Sequence, residues 1–186
     1  MQDFTEEKIH SESLVDGVLL KAYRDTVRLP DGGESVREWI DHPGASAVVP
    51  LFEDGSTLLV HQYRYPPRRA FLEVPAGKLD VKGESPEAVA ARELEEETGW
   101  RGGCFTHLGS FYPCIGYSNE VIHFYLAEAL TPGTLGRSEG EFVEGVRLPF
   151  TEAVARARRG EILDMKSALA LFFAEDLLNR RLDAGS

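Results

Sequence analysis

GKLDVKGESPEAVAARELEEETGW, residues 77–100, runs from a glycine-bearing loop into a helix that stops at Gly99. Ser85 is a good N-cap, and Pro86 suits the first helical position. Ala88 to Leu94 are mostly strong helix formers, and Gly99 is a natural left-handed terminator. The pattern predicts a helix over Pro86 to Thr98. On it Glu93, Glu96 and Glu97 stand at i, i+3 and i+4 and share a face, while Glu95 is expected to point into solvent. Ala90, Ala91 and Leu94 fall on another side, suited to a sheet. Like charges at this spacing cost ~0.2–0.5 kcal/mol per pair. They also crowd the helix end where the macrodipole disfavours anions. Arg92 offsets part of this by reaching Glu96. Carboxylates gathered against local preference suit a hard divalent cation; the competing reading is a solvated charged face.

Before the helix the chain reads as β-structure. Val18 to Val27 and Ser35 to Ile40 flank the turn signal PDGG at Pro30 to Gly33. After the break at His42-Pro43-Gly44, Ala45 to Phe52 and Thr57 to Arg64 flank a second turn at Glu53 to Ser56. Leu72 to Val74 reads as a short strand ending at Pro75-Ala76-Gly77. Beyond the helix, strands are expected at Phe105 to Phe111, Val121 to Leu126 and Phe142 to Leu148, with a loop over Thr131 to Glu141. Phe150 to Arg158 and Asp164 to Arg180 read as helices. Few helices among many strands predict an α+β fold, an α/β/α sandwich with a mixed sheet.

With 186 residues the chain is long enough for a core without staples. Its formal net charge of -11 is opposite to what a nucleic-acid binder needs. An acidic chain can still act on phosphates if metal cations supply the positive charge. Cys104 and Cys114 are too few for a disulfide scaffold and fit a reducing compartment, where they are expected to be small buried hydrophobes. The acidic start, MQDFTEEKIH, lacks the apolar core of a signal peptide, and no run approaches the ~20 apolar residues of a membrane span. The expected location is the cytoplasm, with neither membrane nor nucleic acid as partner.

Residues 77–100 resemble the Nudix box, Gly-x5-Glu-x7-Arg-Glu-U-x-Glu-Glu-x-Gly-U, where U is a bulky apolar residue. From Glu84 through Arg92-Glu93-Leu94-Glu95-Glu96-Glu97-Thr98-Gly99-Trp100 every specified position fits. Six residues rather than five separate Gly77 from Glu84, so the loop carries one extra residue, assigned to Asp80 to Gly83. The resemblance implies a Nudix fold that hydrolyses a pyrophosphate linkage with Mg²⁺ or Mn²⁺. It implies Glu93 and Glu97 as metal ligands, and Glu96 as ligand or as a base acting through metal-held water. The Ala76 carbonyl would complete a metal site, Arg92 would hold the glutamates, and Glu84 would tie the loop to the helix or join a metal shell.

HPGASAVVP (42–50), HQYRYP (61–66), FLEVPAG (71–77) and GEILDMKS (160–167) are similar to the ADP-ribose pyrophosphatase branch of that family. The branch implies a homodimer built through an N-terminal antiparallel β-subdomain, here residues 1–42, beside a Nudix domain at 43–186. Arg64 matches a substrate-contacting arginine, against the alternative of a strand-end surface charge. Arg37 and Trp39 would hold adenine, or Trp39 is a buried interface residue. The base would come from the loop after the box: Glu141 first, Glu139 second, against a solvated acidic loop. Glu120 would bond ribose or support the site, or is an edge-strand acid. Ile115 stands where ADP-ribose-cleaving members often have proline. The expected substrate is ADP-ribose, with GDP-mannose or another nucleotide sugar or dinucleotide as the alternative. A ligand sensor without catalysis is the reading outside the enzyme class.

Overall fold

A computed structural model of the chain describes residues 2–136 and 142–185. Two compact units are present: Met1–Gly44 with Tyr112–Val121, and Ala45–Phe111 with Ile122–Ser186.

The first unit is an antiparallel sheet of β1 (Glu7–Asp16), β2 (Lys21–Arg28) and β3 (Glu34–Asp41), in that order. The PDGG turn forms as read, with Gly32 at φ +87 and the Leu29 N–H donating to the Gly33 carbonyl at 2.8 Å. Strand β1 was not expected. All ten of its residues are exposed, so no apolar stripe marked it in the sequence. The segment Tyr112–Val121 is tied to the end of β3 through Asn119. Its amide nitrogen donates to Asp41 at 2.7 Å, and its carbonyl accepts from the His42 N–H at 2.8 Å.

The second unit carries β4 (Ala45–Pro50), β5 (Ser56–Arg64), β6 (Arg69–Glu73), β7 (Ala76–Lys78), α1 (Pro86–Thr98), β8 (Trp100–Arg101), β9 (Cys104–Phe111), β10 (Ile122–Glu128), β11 (Thr131–Pro132), β12 (Val143–Pro149), α2 (Phe150–Arg158) and α3 (Met165–Ala184). One sheet runs β7-β4-β10-β9, with β4 and β10 parallel and the other pairs antiparallel. A second, antiparallel sheet runs β12-β5-β6, and β8 pairs with β11. The run ASAVVP is apolar on both faces because β4 is a central strand, buried along its whole length. Ala47 and Val49 join Phe124, Leu126 and residues of α2 and α3, such as Val154, Ala170 and Leu171. Val48 joins Ala90 and Leu94 of α1 with Tyr125 and Ala127. Helices thus cover both faces of a mixed sheet, the expected α/β/α sandwich.

Several boundaries move: the strand read from Val18 begins at Lys21, that read to Phe52 ends at Pro50, that read at Leu72 begins at Arg69, and α3 continues to Ala184. Ala76–Lys78 forms a strand of its own, and Thr131–Pro132 is a strand at the start of the stretch read as a loop. Cys104 is exposed and Cys114 half-buried, so neither is the buried hydrophobe expected. Among the described residues no helix is long and apolar enough to cross a membrane.

Candidate active site

Helix α1 forms where its caps require. The Ser85 hydroxyl accepts from the Ala88 N–H at 3.2 Å, Pro86 opens the helix, and Gly99 closes it at φ +75. Just upstream, the Glu84 N–H donates to the Val81 carbonyl at 3.2 Å, with Gly83 at φ +86. That turn lies within the stretch to which the extra residue was assigned.

Buried Ala90 and Leu94 fix the helix against the sheet, and the acids run along the flank of that buried face, with Glu97 itself buried. Arg92 lies among them. Its Nη1 donates to Glu93 at 2.7 Å and to Glu96 at 3.0 Å, while Nε and Nη2 donate to the two oxygens of Glu84 at 3.2 and 3.3 Å. Burial pushes the guanidinium pKa down, but Glu84, Glu93 and Glu96 together hold it well above the ordinary value. Glu97 is buried, 7% exposed, and accepts from the Ala76 N–H at 3.2 Å. Strand β7 therefore runs directly beside the acidic face. A Cβ built at Gly77 would fall 1.9 Å from Glu93 Oε1, so glycine is required for the carboxylate to sit there.

Glu95 corrects an expectation. It is half-buried, pairing with Arg101 at 2.7 Å and accepting from the Thr134 N–H at 3.0 Å. The backbone of this segment continues the clasp: the Gly133 N–H donates to the Gly99 carbonyl at 2.8 Å, and the Gly136 N–H to the Glu96 carbonyl at 3.2 Å. No basic residue lies in the last turn of α1, so these amides take up its terminal carbonyls instead.

Arg64 ends β5 with its Nε and Nη2 on the two oxygens of buried Glu73, both at 2.8 Å. That contact raises its pKa, and the charges of Glu73, Glu97 and Asp164 add to the effect. Arg64 thus lies in the electrostatic field of the acidic face.

Comparison with known proteins identifies the family. The NUDIX domain family matches residues 41–170, which include α1, β7 and Arg64. The chain belongs to the Nudix family. An ADP-ribose pyrophosphatase of Bacillus subtilis (strain 168) is 38% identical over 177 residues, 94% of this chain and 95% of that protein. A methanol dehydrogenase activator of Bacillus methanolicus is 38% identical over 174 residues, 92% and 94% of the two chains. A solved structure described as an ADP compounds hydrolase superposes with a TM-score of 0.85 at 21% identity, covering 97% of this chain and 98% of the other, and so shares its fold.

Nudix hydrolases in general use divalent metals, and the oxygens gathered here fit such an ion. Glu84, Glu93, Glu96, Glu97 and the Ala76 carbonyl are hard donors of the kind Mg²⁺ and Mn²⁺ take. Among the described residues no three acidic or histidine side chains already surround a common point. Three of the four acids are drawn onto Arg92 instead.

Arg37, Trp39 and Glu120 belong to the first unit. Arg37 pairs with Glu6 through Nη2 at 2.5 Å, and the Trp39 indole donates to Asp25 at 2.9 Å while its ring stacks on Tyr23. Glu120 lies 3.6 Å from His42 Nδ1. Glu139 and Glu141 fall outside the described residues. Lys166, within GEILDMKS, carries no local signal of its own in the sequence; it contacts Glu73, 93 residues away in the chain. The readable signal was an acid, Glu73, inside the otherwise apolar FLEVP.

Proposed function

We propose that this Nudix chain is a Mg²⁺-dependent pyrophosphatase that cleaves ADP-ribose to AMP and ribose 5-phosphate. The observation carrying this reading is the acidic face of α1, where Glu84, Glu93 and Glu96 converge on Arg92 and buried Glu97 meets the Ala76 N–H, with Arg64 in the field of Glu97. The ADP-ribose pyrophosphatase relative, aligned over nearly its whole length, supports the substrate. Glu93, Glu97 and the Ala76 carbonyl would hold the metal, with Glu96 and Glu84 joining them. A divalent ion held there supplies charge neutralisation for the pyrophosphate and a more acidic water.

The chain's own residues do the rest. Arg92 holds Glu84, Glu93 and Glu96 in place through its guanidinium. Arg64 offers N–H donors to a phosphate oxygen. Water attacks one phosphorus, the bridging P–O bond breaks, and a carboxylate takes the water's proton; Glu141 is assigned that role, with Glu139 next. Arg37 and Trp39 hold adenine, and Glu120 bonds ribose or supports the site. The β1–β3 sheet, whose strand β1 is exposed along its whole length, is the dimer contact, and the enzyme works in the cytoplasm.

The test is a Mg²⁺- and Mn²⁺-dependent hydrolysis panel of ADP-ribose, GDP-mannose, ADP-glucose, NADH, diadenosine polyphosphates and nucleoside triphosphates, with products identified. ADP-ribose is expected to give the highest kcat/KM. Faster cleavage of GDP-mannose overturns the substrate, and no cleavage of any compound overturns the activity.

A further inference from the structure

Glu73 closes β6 at 2% exposure, yet two cations bear on it. Arg64 holds it with two bonds, and Lys166 Nζ donates to its Oε2. Lys166, itself only 16% exposed, also reaches Asp164 at 2.7 Å. Asp164 caps α3, accepting from the Ser167 N–H at 3.1 Å, and the Ser167 hydroxyl accepts from the Val74 N–H at 2.8 Å. Burial pushes the Glu73 carboxyl pKa up, but Arg64 and Lys166 more than offset this and hold it below the ordinary carboxylate value.

One bidentate guanidinium already balances one carboxylate, so the second cation calls for a role. Asp164 stands at the positive end of α3, where the helix itself stabilises an anion. Lys166 is thereby left to bear on Glu73. Of the five guanidinium N–H groups of Arg64, two are spent on Glu73. The others have no acceptor among the described residues, on a side chain 42% exposed.

We propose that Lys166 is a positioning residue for Arg64: as second counter-ion to Glu73, it lets Arg64 stay anchored while keeping charge to spare for a phosphate oxygen of a nucleoside diphosphate substrate. This rests on the reading of Arg64 as a phosphate contact. Without Lys166 the whole Glu73 charge falls on Arg64, and substrate binding weakens while bond cleavage is untouched.

The experiment compares wild-type, K166Q, K166R, E73Q, E73Q/K166Q and R64Q enzymes. It reads kcat and KM for ADP-ribose, and the calorimetric Kd of its α,β-methylene analogue. K166Q is expected to raise KM and analogue Kd about tenfold with kcat within about twofold, the pattern of lost binding that does not change between ground and transition states. K166R should restore both. E73Q/K166Q should match E73Q, because Lys166 acts only through Glu73. An unchanged KM in K166Q, a fall in kcat alone, K166R as poor as K166Q, or a further KM rise in the double variant over E73Q each overturns the proposal. If K166Q does not fold, K166R and the E73Q pair decide, since the double variant leaves no buried charge unpaired. R64Q with wild-type KM refutes the phosphate contact itself, whatever the Lys166 variants do.

Discussion

Gly77 and Glu93 form the tightest pairing in the site, since a methyl group on Gly77 would meet the carboxylate at 1.9 Å. The clash runs from the carboxylate back to Glu93 Cγ, at 2.5 Å, but meets side chain only, so Gly77→Ala should fold by rotating the whole Glu93 side chain aside. The expected outcome is a metal-free Tm close to wild type and a much smaller Tm rise on adding Mg²⁺, read by scanning calorimetry. Glu97→Gln separates charge from shape. Its amide oxygen can still accept from Ala76, so the fold should persist. Turnover should fall by more than the ~10–100-fold typical of an outer partner of a metal ligand, as measured by ADP-ribose hydrolysis. Wild-type rates in Glu97→Gln would remove it from the metal site. Placement at this scale was the most legible in sequence, because i, i+3, i+4 spacing fixes a shared face before any tertiary contact is known. Glu95 was misread for the complementary reason. Its partners, Arg101 and Thr134, come from outside the helix.

Helix α1 is stabilised by its caps and by Leu94, and destabilised by its acids. Ser85→Ala should cost ~0.5–2 kcal/mol of unfolding free energy in urea melts through loss of the N-cap bond. Leu94→Ala, at a fully buried position, should cost ~2–5 kcal/mol. A divalent ion that binds only the folded helix face raises stability by mass action. Wild-type Tm should therefore climb with Mg²⁺, and a Tm indifferent to Mg²⁺ would refute the site. Elements were read well where period and punctuation coincided, as in α1 and β4. Strand β1 was not read, since a strand exposed on every residue leaves no alternation to see. Nor was the link between β6 and α3 legible, because Glu73 and Lys166 share no local pattern.

At the scale of the whole molecule, buried Glu73 ties stability to pH. The Glu73 carboxyl titrates lower folded than its ordinary value of 4.5. Its contribution is therefore complete above that value and is lost as pH falls through the folded pKa. Glu73→Gln should flatten the decline of Tm on acidification below about pH 5, compared by thermal melts from pH 3 to 7. A formal charge of -11 likewise makes the chain depend on cations to meet an anionic substrate. Raising ionic strength with a monovalent salt should weaken metal binding, as the Debye length shrinks. If the β1–β3 sheet joins two copies, analytical ultracentrifugation should show a dimer. A purely monomeric protein would refute the shared contact.

The clasp between residues 133–136 and the end of α1 also determines where this chain can change length. Three amides, from Gly133, Thr134 and Gly136, each meet a fixed acceptor on the helix end. Inserting one residue between Thr131 and Gly136 would throw at least one of them out of register. The turn over 81–84, closed by a single backbone bond and bent at Gly83, has no such accounting. Library design on this scaffold should therefore place insertions ahead of Glu84 and keep the 131–136 run at constant length.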